Sequence, residues 1–140
     1  MSPSALKLFA RILLALVAAF MLINGLMLMV NPAGSLAGMM VAADGAEGLS
    51  NVRALWGGAI TAIGISVVWA VVTADINNAR PAVLFTFMLV AGRGLGLVFD
   101  GMYDKVIIYT AVPVVVFLLL LVAHKMLDKA EAVDLGSVKL

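Results

Sequence analysis

Arg93 is the residue whose type and position point most clearly to a function. It lies in the segment Gly92-Arg93-Gly94-Leu95-Gly96, inside an apolar run that continues to Asp100. If this run is a helix, the Cα of Arg93 lies about 10 Å from the end of the run, because each helical residue adds about 1.5 Å. An ionisable side chain at that depth in a membrane is expensive, so it is a functional candidate by default.

Other polar residues are expected at a similar level. Asn24 lies seven residues before Asn31, which ends the first apolar run, and Arg53 and Trp56 lie near the start of the second. Guanidinium and amide groups bind carboxylates, phosphates and carbonyl oxygens. The sequence therefore predicts a candidate site for a ligand or a partner, made of Asn24, Asn51, Arg53, Trp56, Arg93, Asp100 and Tyr103.

Two interpretations of the arginines stay open. In the structural one, the glycines around Arg93 form a packing seam, and the guanidinium is held by Asp100, by Asp104 or by backbone carbonyls. In the ligand-binding one, Arg53 and Arg93 converge on a lipid headgroup, a carboxylate or a quinone-like carbonyl. The side chain of a helical residue leans toward the helix N-terminus, away from Asp100, so a bound anion or a partner on another helix suits Arg93 better.

The residue types favour a protein without catalysis of its own. The chain has no cysteine and one histidine, His124, so it offers no thiolate site and no paired histidine ligation. Asp100 with Tyr103 is the one candidate acid–base pair for an enzyme acting on a lipid. We expect no intrinsic cofactor, although a lipid or a quinone could bind. Nine basic residues against eight acidic ones, without a basic cluster, argue against a nucleic-acid partner.

The composition places these residues in a membrane. Of the 140 residues, 64% are hydrophobic and 12% are charged, and the mean hydropathy is +1.17. A soluble domain has about a quarter charged residues. The apolar residues form four long runs, and a spanning helix needs about 20 residues. The sequence predicts an all-α polytopic membrane protein with four transmembrane helices, at about residues 5–30, 50–74, 81–99 and 105–126.

The connections predict how these helices are arranged. Residues 31–49 are predicted to form a glycine-rich outer loop, whose apolar middle, residues 35–43, is expected to be a short helix in the membrane interface. Ser50 or Asn51 is the predicted N-cap of the second helix, and residues 128–140 are predicted to form a mobile polar tail. The short turn before the fourth helix predicts antiparallel neighbours, and the four spans together an antiparallel bundle. The basic residues near the helix ends predict that both termini face the cytoplasm; on that side lie Lys7, Arg11, Arg80, Lys125, Lys129 and Lys139.

The motifs resemble those of a known family. Asn51-Val-Arg53-Ala-Leu-Trp56-Gly-Gly58 opens the second helix, Arg80-Pro81 opens the third, and Gly92-Arg93 with Asp100-Gly101 closes it. Over about residues 6–126, this pattern resembles a widespread bacterial family of small four-helix membrane proteins of unknown function. That family is similar in layout to DoxX-like proteins, some of which are membrane subunits of quinone-linked oxidoreductases. The resemblance implies a four-helix bundle in the bacterial cytoplasmic membrane and carries over no catalytic residue.

Two functional hypotheses follow from these features. The first is a non-enzymatic accessory or assembly subunit of a larger membrane complex, redox or energy-transducing, which binds other membrane subunits or a second copy through small-residue helix faces. The second is a binding or transport module for an anionic or quinone-like amphiphile in an outer-leaflet pocket around Arg53 and Arg93. The first rests on four helices with small-residue seams and little soluble mass, the second on the two guanidinium groups.

Replacement of Arg93 separates a role in folding from a role in binding. We expect Arg93→Leu to insert and fold, because removing a charge from apolar surroundings is often neutral or stabilising, but to lose its bound ligand or partner. Arg93→Lys should restore binding only in part, since an ammonium group does not reproduce the planar fork. Thermal unfolding in detergent and copurification measure the two effects. An Arg93→Leu protein that fails to insert would contradict this prediction.

Overall fold

The computed structural model describes residues 2–39, 41–102 and 105–137, and these residues form helices without a strand. Four helical segments are long and apolar enough to cross a membrane: Pro3–Val30, Gly45–Thr73, Ile76–Phe99 and Ile107–Ala130. The individual helices are α1 (Pro3–Val30), α2 (Pro32–Met39), α3 (Gly45–Asn51), a π-helical turn (Val52–Gly57), α4 (Gly58–Thr73), a 3-10 turn (Ile76–Ala79), α5 (Arg80–Phe99) and α6 (Val106–Ser137).

Helix α1 is the centre of the packing. Its most extensive contacts are with α4 and α6, whereas α5 packs mainly against α6 and only lightly against α4. Leu6, Ala10, Leu14, Val17 and Met21 are all buried, at the spacing of three or four residues that gives a helix one apolar face. The core therefore lies between this face of α1 and the buried residues of α4 and α6, among them Val67, Leu120 and Leu127.

Glycines bring α1 and α4 into close contact. A Cβ atom at Gly25 would lie 2.7 Å from the backbone nitrogen of Thr61, and one at Gly57 would lie 3.2 Å from the Gly25 carbonyl oxygen. A Cβ at Gly64 would lie 3.2 Å from the backbone nitrogen of Leu22. Residues later in the second span therefore contact residues earlier in α1. Small residues let the two backbones approach in this way, as they do in membrane helix pairs.

The segment between the first two spans is more helical than the predicted outer loop, and α2 overlaps the short helix expected at residues 35–43. It contains α2 and α3, and Leu36 of α2 packs with Leu28 and Val52 in a small apolar cluster. The helix of the second span therefore begins at Gly45, after Asp44, and not at Ser50 or Asn51. The prediction of an N-cap there was wrong, because Asn51 has helical backbone angles.

The C-terminal segment continues the last helix. The predicted polar tail from residue 128 is helical as far as Ser137, where α6 ends. Leu127 and Ala130 are 1% and 0% exposed, and they continue the spacing of Leu120 and Ala123 on the face of α6 that packs in the core. Burial of these apolar side chains explains why the helix extends past Met126 in spite of the charged residues around it. Residues 138–140 lie outside the described residues.

The close contact at Gly25 predicts that a larger residue there lowers the stability of the protein. We expect Gly25→Ala to lower the free energy of unfolding by about 1–3 kcal/mol, because the new methyl group would overlap the α4 backbone at Thr61. Gly92→Ala is the matched control, since a Cβ there has no neighbour within 4 Å and alanine favours the helix. Thermal unfolding in detergent compares the two variants. Equal stability of both would show that the glycine contact does not hold the helices together.

Candidate functional site

Arg93 lies over an aromatic ring of the neighbouring helix. Its Cζ atom is 5.5 Å from the centroid of the Tyr109 ring on α6. A guanidinium group at this distance is attracted to the ring face, by about 0.5–2 kcal/mol depending on how far the pair is removed from water. Asp100, one of the predicted partners, ends α5, and its backbone N–H donates to the Gly96 carbonyl at 2.8 Å. The other predicted partner, Asp104, lies outside the described residues.

Tyr109 connects Arg93 to the segment that follows α1. Its hydroxyl donates a 2.7 Å hydrogen bond to the Gly38 carbonyl at the end of α2. The same ring therefore contacts α5 through its face and α2 through its hydroxyl. We call Arg93, Tyr109 and Gly38 the tyrosine clamp. Tyr109 was not among the residues predicted from the sequence. The pattern that could have indicated it is an aromatic residue near the start of an apolar run, a common position at membrane interfaces.

Arg53 contacts a different part of the protein. Its Nε donates a 3.1 Å hydrogen bond to the Met29 carbonyl in the last turn of α1. The final carbonyls of a helix have no partner within the helix, and a cation there also interacts favourably with the helix dipole. Within the described residues, the Arg53 side chain makes no other hydrogen bond. Arg53 thus caps α1 from the second span.

The backbone around Arg53 is π-helical. The turn covers Val52–Gly57 and carries Arg53 and Trp56, whose side chain is 48% exposed. Such turns are rare and are frequently found at functional sites. The turn was not predicted from the sequence. The pair Gly57-Gly58 at its end is a signal for an irregular helix, because glycines tolerate a local widening of the turn.

The remaining predicted residues that the structure describes lie on α1 and at the ends of α3 and α5. The Asn24 amide donates to the Phe20 carbonyl of its own helix at 2.8 Å. Asn51 and Asp100 are exposed at the ends of α3 and α5, and Tyr103 lies outside the described residues. The structure thus gives the two arginines separate contacts, Arg53 with the end of α1 and Arg93 with α6, rather than one shared partner.

Two grooves between the described helices lie away from both arginines. One groove of about 330 Å³ runs between α1 and α6 and is purely apolar, lined by residues such as Phe20 and Val116. A second groove, of about 320 Å³, runs between α5 and α6. Neither is lined by Arg53 or Arg93. Among the described residues, no three His, Cys, Asp or Glu side chains come together in a group that could hold a metal ion.

These features define a multi-pass membrane protein of four apolar helices with two arginine contacts near one end of the helix packing. The chain belongs to the family DUF4345, described as a domain of unknown function, whose model matches residues 9–124. The expected membership in a family of small four-helix membrane proteins is confirmed to this extent. No curated protein and no solved structure matches the chain.

The tyrosine clamp predicts that one hydroxyl holds α2. We expect Tyr109→Phe to speed amide hydrogen exchange in residues 32–39, because it removes the bond to Gly38 and leaves the ring below Arg93. The loss should be about 0.5–1.5 kcal/mol of local stability. Exchange measured by mass spectrometry should be unchanged in α1 and α4. Unaltered exchange of α2 in this variant would mean that the hydroxyl does not hold it.

Proposed function

We propose that this protein is a non-enzymatic integral membrane subunit that supports the assembly of a larger membrane complex. The observation that carries the proposal is the second half of α5, which contacts α6 through Arg93 but contains no buried residue. Ala82 and Thr86 are the buried residues of this helix, and both lie in its first two turns. From Phe87 to Phe99 no residue of the helix is buried. A spanning helix with so little packing of its own has a face available for another helix.

The composition of this face supports a helix as its occupant. Gly92 and Gly96 are four residues apart and share one side of α5 with the exposed side chains of Met88, Leu95 and Phe99. A Cβ built on Gly92 would meet no neighbouring atom within 4 Å. In membranes, helices associate through small residues at this spacing, because the backbones can come close together. The analogous glycines between α1 and α4 are already covered.

The arrangement in the membrane belongs to the same proposal. We place the four helices as an antiparallel bundle in a bacterial cytoplasmic membrane, with both termini in the cytoplasm. The basic residues near the helix ends support this orientation. A relationship to DoxX-like membrane subunits is supported by the size and the order of motifs in the sequence. A redox or energy-transducing complex is the kind of partner that this likeness favours.

A second candidate function is a binding module for an anionic or quinone-like amphiphile at Arg53 and Arg93. The π-helical turn favours it, since Arg53 and Trp56 lie on an irregular backbone of a kind common at functional sites. Against a shared pocket stands the separation of the two arginine contacts. The two candidates differ in what the purified protein retains, which is a partner subunit for the first and an amphiphile for the second.

A large side chain on the glycine face of α5, the side that carries Gly92 and Gly96, tests the assembly function. The protein purified in mild detergent should carry a stoichiometric partner subunit, and Gly92→Leu should lower its occupancy about tenfold, which corresponds to about 1.4 kcal/mol of overpacking. Ala59→Leu, at an exposed position of α4, is the matched control and should keep the partner. Native mass spectrometry measures the occupancy. A strictly monomeric wild-type particle would overturn the proposal, as would equal loss of the partner in both variants.

A further inference from the structure

The groove between α5 and α6 combines an apolar wall with a cationic mouth. Its wall includes Val83 and Leu84 of α5 and Leu121 of α6, and its mouth is lined by Arg80 and His124. The groove has a volume of about 320 Å³. An apolar channel with a charged group at one end matches the shape of an amphiphile, which has an apolar chain and a polar headgroup.

The two sides of the groove have the same length. Arg80 and Phe87 are seven positions apart on α5, and Phe117 and His124 are seven positions apart on α6, so each side is about 10 Å long. Phe87 and Phe117 form the far end of the groove, with ring centroids 6.0 Å apart. Leu84 is 60% exposed and Phe87 46% exposed, so the groove is open along its length to the surrounding bilayer. A lipid chain can enter it sideways.

The charge at the mouth belongs to Arg80. Within residues 2–39, 41–102 and 105–137, its guanidinium group has no hydrogen bond or ion pair. Two carboxylates at this end of the helices have partners other than Arg80: Asp128 pairs with His124 at 3.3 Å, and Asp75 accepts from the Asn77 backbone at 2.9 Å. A guanidinium beside an apolar groove favours an anionic oxygen group, and its planar fork matches the geometry of a phosphate.

We propose that this groove binds an anionic phospholipid, with one acyl chain along the apolar wall and the phosphate on Arg80. The carboxylate of Asp128, next to His124 at the mouth, favours a headgroup with a single negative charge over a polyanionic one. The site is separate from Arg53 and Arg93, neither of which lines the groove. It does not depend on the assembly function, because the groove lies on the first half of α5 and the glycine face on the second.

Titration with two lipids tests the site. Detergent-purified protein is titrated with phosphatidylglycerol and with phosphatidylcholine of the same acyl chains, and binding is measured by native mass spectrometry. The wild type should bind phosphatidylglycerol about tenfold more tightly, and Arg80→Gln should reduce this preference to about one. Arg11→Gln, which changes an exposed arginine of α1 outside the groove, is the matched control and should keep the preference.

A second pair of variants tests the apolar wall. Leu84→Trp should fill the groove and lower the binding of both lipids, whereas Leu8→Trp, at the 62% exposed Leu8 of α1, should leave the binding unchanged.

Equal affinity of the wild type for the two lipids would overturn the assignment of the phosphate to Arg80. The same loss in Arg80→Gln and Arg11→Gln would show only a general charge effect and would also overturn it. Undiminished binding by Leu84→Trp would exclude the groove, while a partner subunit retained by Arg80→Gln would separate this result from the assembly function.

Discussion

The contact of α1 with α4 at Gly25 and Thr61 is the constraint on which the rest of the structure depends. Because the two backbones meet there, the end of α1 lies beside the π-helical turn, and the Met29 carbonyl comes within hydrogen-bond distance of Arg53. The Thr61 hydroxyl contacts the Met29 sulfur at 3.6 Å at the same place. The apolar face of α1 is then positioned to receive α6, and α6 in turn receives α5. Helix α5 is thus attached at the end of a series of contacts that begins at one glycine.

This series of helix contacts explains why the four spans are packed unevenly. In a membrane the surrounding lipid is as apolar as the helix surface, so close packing and polar contacts hold helices together. Helix α1 has close packing on two sides, whereas α5 has it on one side and only over its first two turns. The contact of Arg93 with the Tyr109 ring is a second attachment of α5, in the half that lacks buried residues. Arg93 therefore has a structural contact whether or not it also binds a ligand.

The sequence predicts the large features of this fold because four apolar runs and a bilayer thickness leave few alternatives. The membrane class and the four helical segments follow from hydropathy alone. A short helix near residues 35–43 was expected, but the contact of Leu36 with Leu28 and Val52 was not, because no local pattern encodes it. The π-helical turn and the Tyr109 bond to Gly38 are tertiary features of the same kind. For the candidate site, the sequence identified both arginines, but it could not indicate that Arg53 caps α1 while Arg93 contacts α6.

The length of α6 has a mechanical consequence. At 1.5 Å per residue its 32 residues extend about 48 Å, which exceeds the hydrocarbon thickness of about 30 Å by about 18 Å. The helix carries Tyr109 near one end and a charged segment near the other, and Pro113 lies between them. A proline inside a helix removes one backbone hydrogen bond and favours a bend at that place. A displacement of the charged end is therefore taken up in part at Pro113, before it reaches the Tyr109 side chain that contacts α2 and α5.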